Sequence, residues 1–312
     1  MRVFVAGATG AVGKRLVPAL IEAGHEVTGM TRSPQRADAV RAAGAEAVIA
    51  DALDRAAVIA AVSAARPEVV VHELTAIRAV LNPKRLDEEF AETNRLRTEG
   101  TDNLLAAARE AGARRLVAQS FGGWPYAREG GPVKSEDDPL DPHPPGPARR
   151  TLDAIRHLEA AVTEAEGVEG IVLRYGAFYG PGTSLGADGE NTDLVRRRRF
   201  PIVAGGTGVW SLVHIDDAAS ATVVAIERGA PGIYNVCDDE PAPVNEWLPA
   251  LAEAIGAKRP RRVPAWMARR PLGEFGFAWM TNVRGASNEK LRSELDWRPR
   301  WPSWRQGFRS GL

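Results

Sequence analysis

The sequence opens on a glycine-rich loop between two regular elements. Gly7, Gly10 and Gly13 follow an apolar run at residues 3–6, which is typical of a buried strand, and precede an amphipathic stretch that predicts a helix over 11–23. In such a loop the first glycine permits a tight turn, the second lets the backbone approach a pyrophosphate, and the third lets the helix pack closely on the strand. The loop therefore predicts a dinucleotide site at the N-terminus of the helix, with a simple tight turn as the alternative.

The loop also defines the first set of cofactor residues. We predict that the pyrophosphate contacts are made by Gly7, Thr9, Gly10, Ala11, Val12 and Gly13.

Strand-type and helix-type segments then alternate along the chain. Further strands are predicted at 26–31, 45–50, 68–72, 115–119 and 170–175, separated by helical segments that include 55–65 and a long region at 83–112. This alternation is typical of a parallel sheet covered by helices on both faces. The predicted fold class is α/β, a Rossmann-type doubly wound parallel sheet with a smaller C-terminal substrate lobe.

Two segments interrupt the alternation. Residues 128–148 are rich in proline, glycine and acids, which predicts a flap within a dinucleotide-binding domain spanning 1–175. Residues 176–312 are irregular and rich in tryptophan, and we predict that they form the substrate lobe, with some segments returning to the sheet. Ligands of open α/β folds bind at the carboxyl ends of the strands, which this lobe would cover.

Composition restricts the classes of partner. Forty basic residues balance forty acidic ones, so nothing favours nucleic acid or an anionic membrane surface. No apolar stretch is long enough to span a bilayer, and the N-terminus does not resemble a signal peptide. The single cysteine, Cys237, agrees with a reducing compartment, and no Cys, His and carboxylate spacing predicts a metal site. We expect a cytoplasmic protein with a small-molecule substrate.

The residues at the end of the second predicted strand indicate which of the two nicotinamide dinucleotides the chain binds. An NAD site usually places an acid there for the ribose 2′-hydroxyl, whereas this chain has Arg32, with Arg36 one turn into the next helix. A guanidinium can pair with a 2′-phosphate, so NADP(H) is favoured over NAD(H). A solvated arginine at a helix start is the alternative interpretation.

Longer motifs resemble the extended short-chain dehydrogenases/reductases, the NAD-dependent epimerase/dehydratase family. The glycine spacing, the segment from Asn94 to Gly100-Thr101-x-Asn103-Leu-Leu, and Leu173-Arg-Tyr175-Gly-x-x-Tyr179-Gly-Pro181-Gly are similar to its motifs, although extra residues precede Gly100. The resemblance covers nearly the whole chain. It implies that the additional cofactor residues are Asp51, Ala52, Leu74, Thr75, Asn94 and Tyr175.

The family's catalytic pair has no counterpart in the sequence. The resemblance implies a tyrosine and a lysine four residues apart, the first for proton transfer and the second to lower its pKa. Counting back from Glu159, these positions fall on Thr151 and Ile155, and no Tyr-x-x-x-Lys occurs in the chain. Replacement candidates are Ser120 and Tyr126, which follow the fifth strand; packing of the flap is the alternative role for Tyr126.

Three functional hypotheses remain open at this stage. The first is an NAD(P)-dependent oxidoreductase that acts on a small organic or sugar-type substrate with non-standard catalytic residues. The second is a non-catalytic NADP(H)-binding sensor or scaffold, and the third is a non-redox enzyme of isomerase or cyclase type. The resemblance also suggests a homodimer that packs through the helices at 83–112 and 148–166.

Overall fold

The computed structural model describes residues 1–77 and 82–312. Within those residues the strands are β1 (Arg2–Ala6), β2 (Glu26–Thr31), β3 (Glu46–Ile49), β4 (Val69–His72), β5 (Arg115–Phe121), β6 (Val133–Lys134), β7 (Glu169–Tyr175), β8 (Ala177–Tyr179), β9 (Ile202–Val203), β10 (Val209–Trp210), β11 (Leu212–His214), β12 (Gly232–Val236), β13 (Ala242–Pro243), β14 (Arg262–Val263) and β15 (Gly285–Ala286).

The helices of the same residues follow in chain order. They are α1 (Gly13–Glu22), α2 (Pro34–Ala42), α3 (Arg55–Ala65), α4 (Leu86–Glu89), α5 (Ala91–Arg95), α6 (Thr101–Glu110), α7 (Arg149–Thr163), α8 (Glu190–Arg196), α9 (Ile215–Arg228), α10 (Val244–Ala254), α11 (Ala265–Thr281, kinked at Gly273), α12 (Glu289–Leu295) and α13 (Trp304–Ser310). Single turns of 3-10 helix at Pro83–Arg85 and Gly146–Ala148 and a π-helical turn at Leu96–Gly100 complete them.

The main sheet is parallel and has the strand order β12-β7-β5-β4-β1-β2-β3. Alternate residues of each strand face opposite layers. In β1, Val3 and Val5 pack with α1 and α9, whereas Phe4 and Ala6 pack with α3 and α6. The sheet is therefore buried on both faces, as the α/β Rossmann-type prediction requires.

The C-terminal third forms its own apolar cluster but also contributes to the sheet. Trp247 and Trp304 are fully buried there with Tyr179 and Phe308. Strand β12 leaves this region and pairs with β7 in register from Ile171 to Tyr175. The division into two domains near residue 175 stays a prediction, because the sheet takes its last strand from beyond that boundary.

Most element bounds agree with the sequence, but the helical region predicted over 83–112 is interrupted. It contains a 3-10 turn, α4, α5, the π-helical turn and α6. At the π-helical turn the carbonyl oxygen of Leu96 lies 3.2 Å from Nε2 of His72. In a π-helical turn a backbone carbonyl can hydrogen-bond to a group outside its helix, and such turns are frequent at functional sites. Among the helices in the described part of the chain, none has the length and apolarity of a membrane span.

Candidate functional site

The glycine loop is closed by contacts that only glycine allows. Gly7 has a φ of 96°, and a Cβ there would lie 2.5 Å from the carbonyl oxygen of Glu73. A Cβ on Gly13 would lie 2.3 Å from the carbonyl oxygen of Gly7. The backbone N–H of Gly10 donates to that same oxygen at 2.9 Å. These contacts hold the start of α1 against the ends of β1 and β4.

The start of α1 fits a pyrophosphate. Val12 precedes the helix without a side-chain cap, and the first turn carries no acidic residue. Gly10 and Ala11 are exposed, and Thr9 is half-buried with its hydroxyl 3.5 Å from that of Thr31. Backbone N–H groups at an uncapped helix N-terminus attract phosphate oxygens through both hydrogen bonding and the helix dipole. The residues present therefore suit a dinucleotide.

Replacing Gly13 with alanine tests this loop. Because the new Cβ would collide with backbone, we expect a loss of about 1–3 kcal/mol in the free energy of unfolding and dinucleotide binding weakened by roughly tenfold or more. The matched control is Gly100→Ala, also within a helical segment, where the Cβ would meet nothing closer than 3.7 Å. Calorimetric titration and denaturant unfolding measure both; equal behaviour of the two variants would contradict the model of the loop.

The residues predicted to read the adenosine half lie at the ends of β2 and β3. The Arg32 guanidinium pairs with Glu92 across 2.5 Å and is half exposed, and Arg36 is exposed on α2. Asp51 is exposed and accepts the N–H of Leu53. The neighbouring Ala52 is buried, and its carbonyl oxygen accepts the side-chain amide of Asn103. Arg32 is thus accessible to a ligand, but Glu92 competes for it.

Three further residues predicted to bind the cofactor follow β4 or lie on α5. Leu74 and the exposed Thr75 come directly after the strand, and the N–H of Leu74 donates to Nδ1 of His72. The Asn94 amide donates to Thr151 at 3.2 Å, while its Oδ1 is buried with no partner among the described residues. An unpaired buried amide oxygen is unusual and is consistent with a ligand contact.

Tyr175 is placed differently from the others. Its ring is buried, and its hydroxyl donates to Glu73 at 3.0 Å and lies 2.6 Å from the hydroxyl of Thr222. That hydroxyl is committed to the layer between the sheet and α9. A cofactor contact by Tyr175 is therefore left to its backbone.

Ser120 and Tyr126 belong to one buried network. Ser120, inside β5, donates to Glu159 at 2.7 Å, and Glu159 pairs with Arg174 at 2.6 and 2.8 Å. Arg174 also donates to the Tyr126 hydroxyl, which donates in turn to Asn235. Burial raises the pKa of Tyr126 to about 12. Both hydroxyls are thus occupied by protein partners, an arrangement that favours a structural role over proton transfer.

Thr151 and Ile155 occupy the positions that the resemblance assigns to the proton-transferring pair. Both are fully buried on α7. The Thr151 hydroxyl donates to Asp87 at 2.8 Å, and Asp87 also accepts the backbone N–H of Thr151. In the structure Thr151 therefore fixes the start of α7 through its bonds to Asp87, and the Ile155 side chain has no polar group.

A narrow cleft opens at the carboxyl end of β5. It is lined by Phe121, Gly122, Gly123, Trp124, Val209, Trp210, Ser211 and Trp279, among others. Four of these residues are aromatic, but in this structure the cleft has space for little more than a water molecule. The cleft lies at the edge of the sheet where ligands of this architecture bind.

Two buried charged residues near the site were not predicted. Arg97 lies on the π-helical turn, and Glu73 follows β4 directly. Arg97 lies at helical spacing from Thr93, Thr101 and Leu104, which are all buried, but three of these four residues are polar, so apolar periodicity did not reveal its burial. Glu73 follows three valines and a histidine of a buried strand, so its burial could have been suspected.

The sequence matches the model of a known protein family. Residues 3–237 match the NAD dependent epimerase/dehydratase family. The chain belongs to this family. A "3-diazoavenalumate denitrifying reductase" of a Streptomyces species is 50% identical over 99% of both chains. A Stigmatella aurantiaca ketoreductase of a farnesylated dihydroquinoline N-oxide is 29% identical over 94% of this chain and 85% of its own.

Solved structures agree with the fold. The Thermotoga maritima UDP-glucose 4-epimerase with UDP-glucose has a TM-score of 0.76 at 23% identity, covering 99% of this chain and 96% of its own. The Thermus thermophilus UDP-glucose 4-epimerase with NAD has a TM-score of 0.72 at 26% identity, covering 99% and 97%. This family member is an enzyme of the NAD-dependent oxidoreductase and epimerase type, which disfavours the sensor hypothesis.

Proposed function

We propose that this enzyme is a reductase that replaces the diazo nitrogen of an aromatic carboxylate with hydrogen. The observation that supports the proposal is that Thr151 and Ile155, to which the family resemblance assigns the proton-transferring pair, are buried without an acidic hydroxyl or a charge, and that the hydroxyl of Tyr126 is occupied by protein partners. The name of the 50% identical relative, a 3-diazoavenalumate denitrifying reductase, indicates reductive removal of nitrogen from a diazo carboxylate. Opening of the narrow cleft would let its aromatic side chains stack on the ring of such a substrate.

This reaction class explains why a proton donor is dispensable. At an arenediazonium carbon, the C–H bond forms with hydride from the reduced nicotinamide, and the C–N bond breaks with its electron pair leaving in N₂. No alkoxide develops, so no side chain has to supply a proton. Ketone reduction, in contrast, needs a proton for the oxygen. The protein's tasks are to orient the ring, exclude water and hold the carboxylate.

Deuterium transfer tests the proposed function. The protein is incubated with 4-carboxybenzenediazonium and NADPH deuterated at either face of C4, and benzoate is analysed by mass spectrometry. We expect deuterium at the ring carbon from one face only, with no label from deuterated solvent. Protein-free and heat-denatured samples control for spontaneous reduction.

A matched ketone distinguishes this function from carbonyl reduction. The substrate 4-acetylbenzoate has the same ring and carboxylate, and we expect it to be turned over at least about 100-fold more slowly, because general acid catalysis contributes about 10²–10⁴-fold. Faster reduction of the ketone, or diazonium consumption no faster than in the protein-free sample, would contradict the proposal.

We further propose that the cofactor is NADP(H) rather than NAD(H), on the basis of the accessible Arg32 at the end of β2. Arg32→Ala should weaken NADPH binding by roughly 10–100-fold and NADH binding little, since a hydrogen bond to a charged group contributes about 1.5–3 kcal/mol. Glu92→Gln should strengthen NADPH binding, because it frees Arg32 from its pair. Arg41→Ala, on the following helix α2, is the control, and calorimetric titration measures all three variants. Equal losses for both cofactors with Arg32→Ala would argue against the assignment.

The predicted homodimer and cytoplasmic location also remain proposals. The dimer would pack through the helices at 83–112 and 148–166. Sedimentation velocity at micromolar concentration tests it, and a monomer there would refute the dimer.

A further inference from the structure

Arg97 carries a buried guanidinium that forms no ion pair with the described residues. Its side chain is 4% exposed, and its Nη1 is shielded from solvent with no hydrogen-bond partner among residues 1–77 and 82–312. The negative charge of Glu159 acts on Arg97, but this carboxylate is already paired with Arg174 at 2.6 Å. Burial lowers the pKa of Arg97 to about 10, so the guanidinium stays charged at neutral pH. A buried unpaired charge is costly, and proteins retain such groups chiefly where they meet a ligand.

The register between two helices places Arg97 at the site. Three contacts join the α5–α6 segment to α7 in parallel: Asn94 to Thr151, Asp102 to His157, and Arg109 to Glu166. Residue 97 is one turn after Asn94, and therefore lies level with residue 155, one turn after Thr151. Arg97 thus places a guanidinium level with Ile155 of the neighbouring helix α7, and the Ile155 side chain carries no charge.

The Arg97 side chain points toward the edge of the sheet at which ligands of this architecture bind. Helical side chains lean toward the helix N-terminus, which for this segment is the carboxyl edge of the strands. Consistent with this, the guanidinium lies 5.8 Å from the ring centre of Phe90, two turns earlier. Phe90 shares an apolar cluster with Trp124, which lines the cleft. The unpaired Asn94 Oδ1 is one turn away on the same helix.

We propose that Arg97 binds the carboxylate of the substrate and thereby orients the aromatic ring in the cleft. The pyrophosphate has its own binding elements at the start of α1, on the other face of the sheet. The ribose hydroxyls of the cofactor are neutral, so a contact with them would leave the positive charge of Arg97 uncompensated. A carboxylate matches both the charge and the paired N–H donors of a guanidinium. The identity of this anion rests on the proposed function.

Binding measurements test the assignment without turnover. Benzoate and benzamide are titrated calorimetrically into the protein saturated with NADP⁺, for the wild type, Arg97→Met and Arg97→Lys. We expect Arg97→Met to weaken benzoate binding at least tenfold and benzamide binding less than threefold, and Arg97→Lys to restore part of the benzoate affinity. The NADP⁺ affinity should change less than threefold.

A stability measurement separates binding from structural support. Because Arg97→Met removes an uncompensated buried charge, the variant should melt at a higher temperature than the wild type in the absence of ligands. A lower melting temperature, a loss of NADP⁺ binding, equal losses for benzoate and benzamide, or no benzoate binding by the wild type would each overturn the inference. If benzoate binding follows Arg97 while no diazonium is reduced, the inference stands and the proposed function fails.

Discussion

Replacing Glu159 with glutamine is expected to lower the free energy of unfolding by about 3–5 kcal/mol, the usual cost of breaking a buried ion pair. Glu159 and Arg174 are 5% and 4% exposed, and the carboxylate accepts two hydrogen bonds from the guanidinium and one from Ser120. With glutamine at 159, the amide oxygen can still accept from Arg174, but the buried Arg174 charge loses its counter-charge and one of its two carboxylate acceptors, and its remaining partner is the neutral hydroxyl of Tyr126. Denaturant unfolding of the ligand-free protein measures the loss.

Two further variants show whether the loss comes from the unpaired charge. The double variant Glu159→Leu with Arg174→Met removes both charges, and should be more stable than Glu159→Gln. Glu169→Gln is the control for a partly exposed pair: Arg115 keeps its bonds to the carbonyl oxygens of Ala225 and Ile226, and we expect a loss of about 1 kcal/mol or less. Comparable losses of unfolding free energy for Glu159→Gln and Glu169→Gln would contradict the prediction that breaking the buried ion pair costs more than breaking the partly exposed one.

Much of the fold could be predicted because its signals are local. The glycine loop, the alternation of strands and helices and the bounds of β2 and α3 follow from turn chemistry and apolar periodicity within short windows. The family resemblance is confirmed, since residues 3–237 match that family. The place of β12 beside β7, in contrast, depends on a contact between distant segments, which no local pattern shows.

The site could be predicted only in part, because its unusual residues depend on tertiary contacts. The hydrogen bonds of Ser120 and Tyr126 with Glu159, Arg174 and Asn235 join residues that are 39 to 109 positions apart in the sequence. Likewise, the isolation of Arg97 follows from the partner already held by Glu159, which no spacing in the sequence reveals. Sequence patterns therefore predict residues for the cofactor side, a prediction that stays open, whereas the contacts on the substrate side became visible only in the structure.

Replacing Glu73 with glutamine is expected to stabilise the protein, and increasingly so as the pH rises. The Glu73 carboxyl is fully buried, accepts one hydrogen bond from Tyr175, and has a second oxygen without a partner among the described residues. Burial raises its pKa from 4.5 to about 8. Below pH 4.5 the carboxyl is neutral in both the folded and the unfolded chain. Between pH 4.5 and 8 it ionises only in the unfolded chain, so the stability of the wild type falls over that range.

Glutamine keeps the acceptor for Tyr175 but never ionises, so the variant escapes this loss. At about 1.4 kcal/mol per pKa unit, the difference in unfolding free energy between variant and wild type should grow from near zero at pH 4 to about 3–5 kcal/mol at pH 8. Glu68→Gln, just before the same strand β4, is the control: the backbone N–H of Arg2 lowers the pKa of this exposed carboxyl, so its replacement should bring no such gain. Denaturant unfolding at pH 4, 6 and 8 measures the trend. A difference that does not change with pH would mean that Glu73 ionises normally in the folded protein, and that water or a cation reaches its second oxygen.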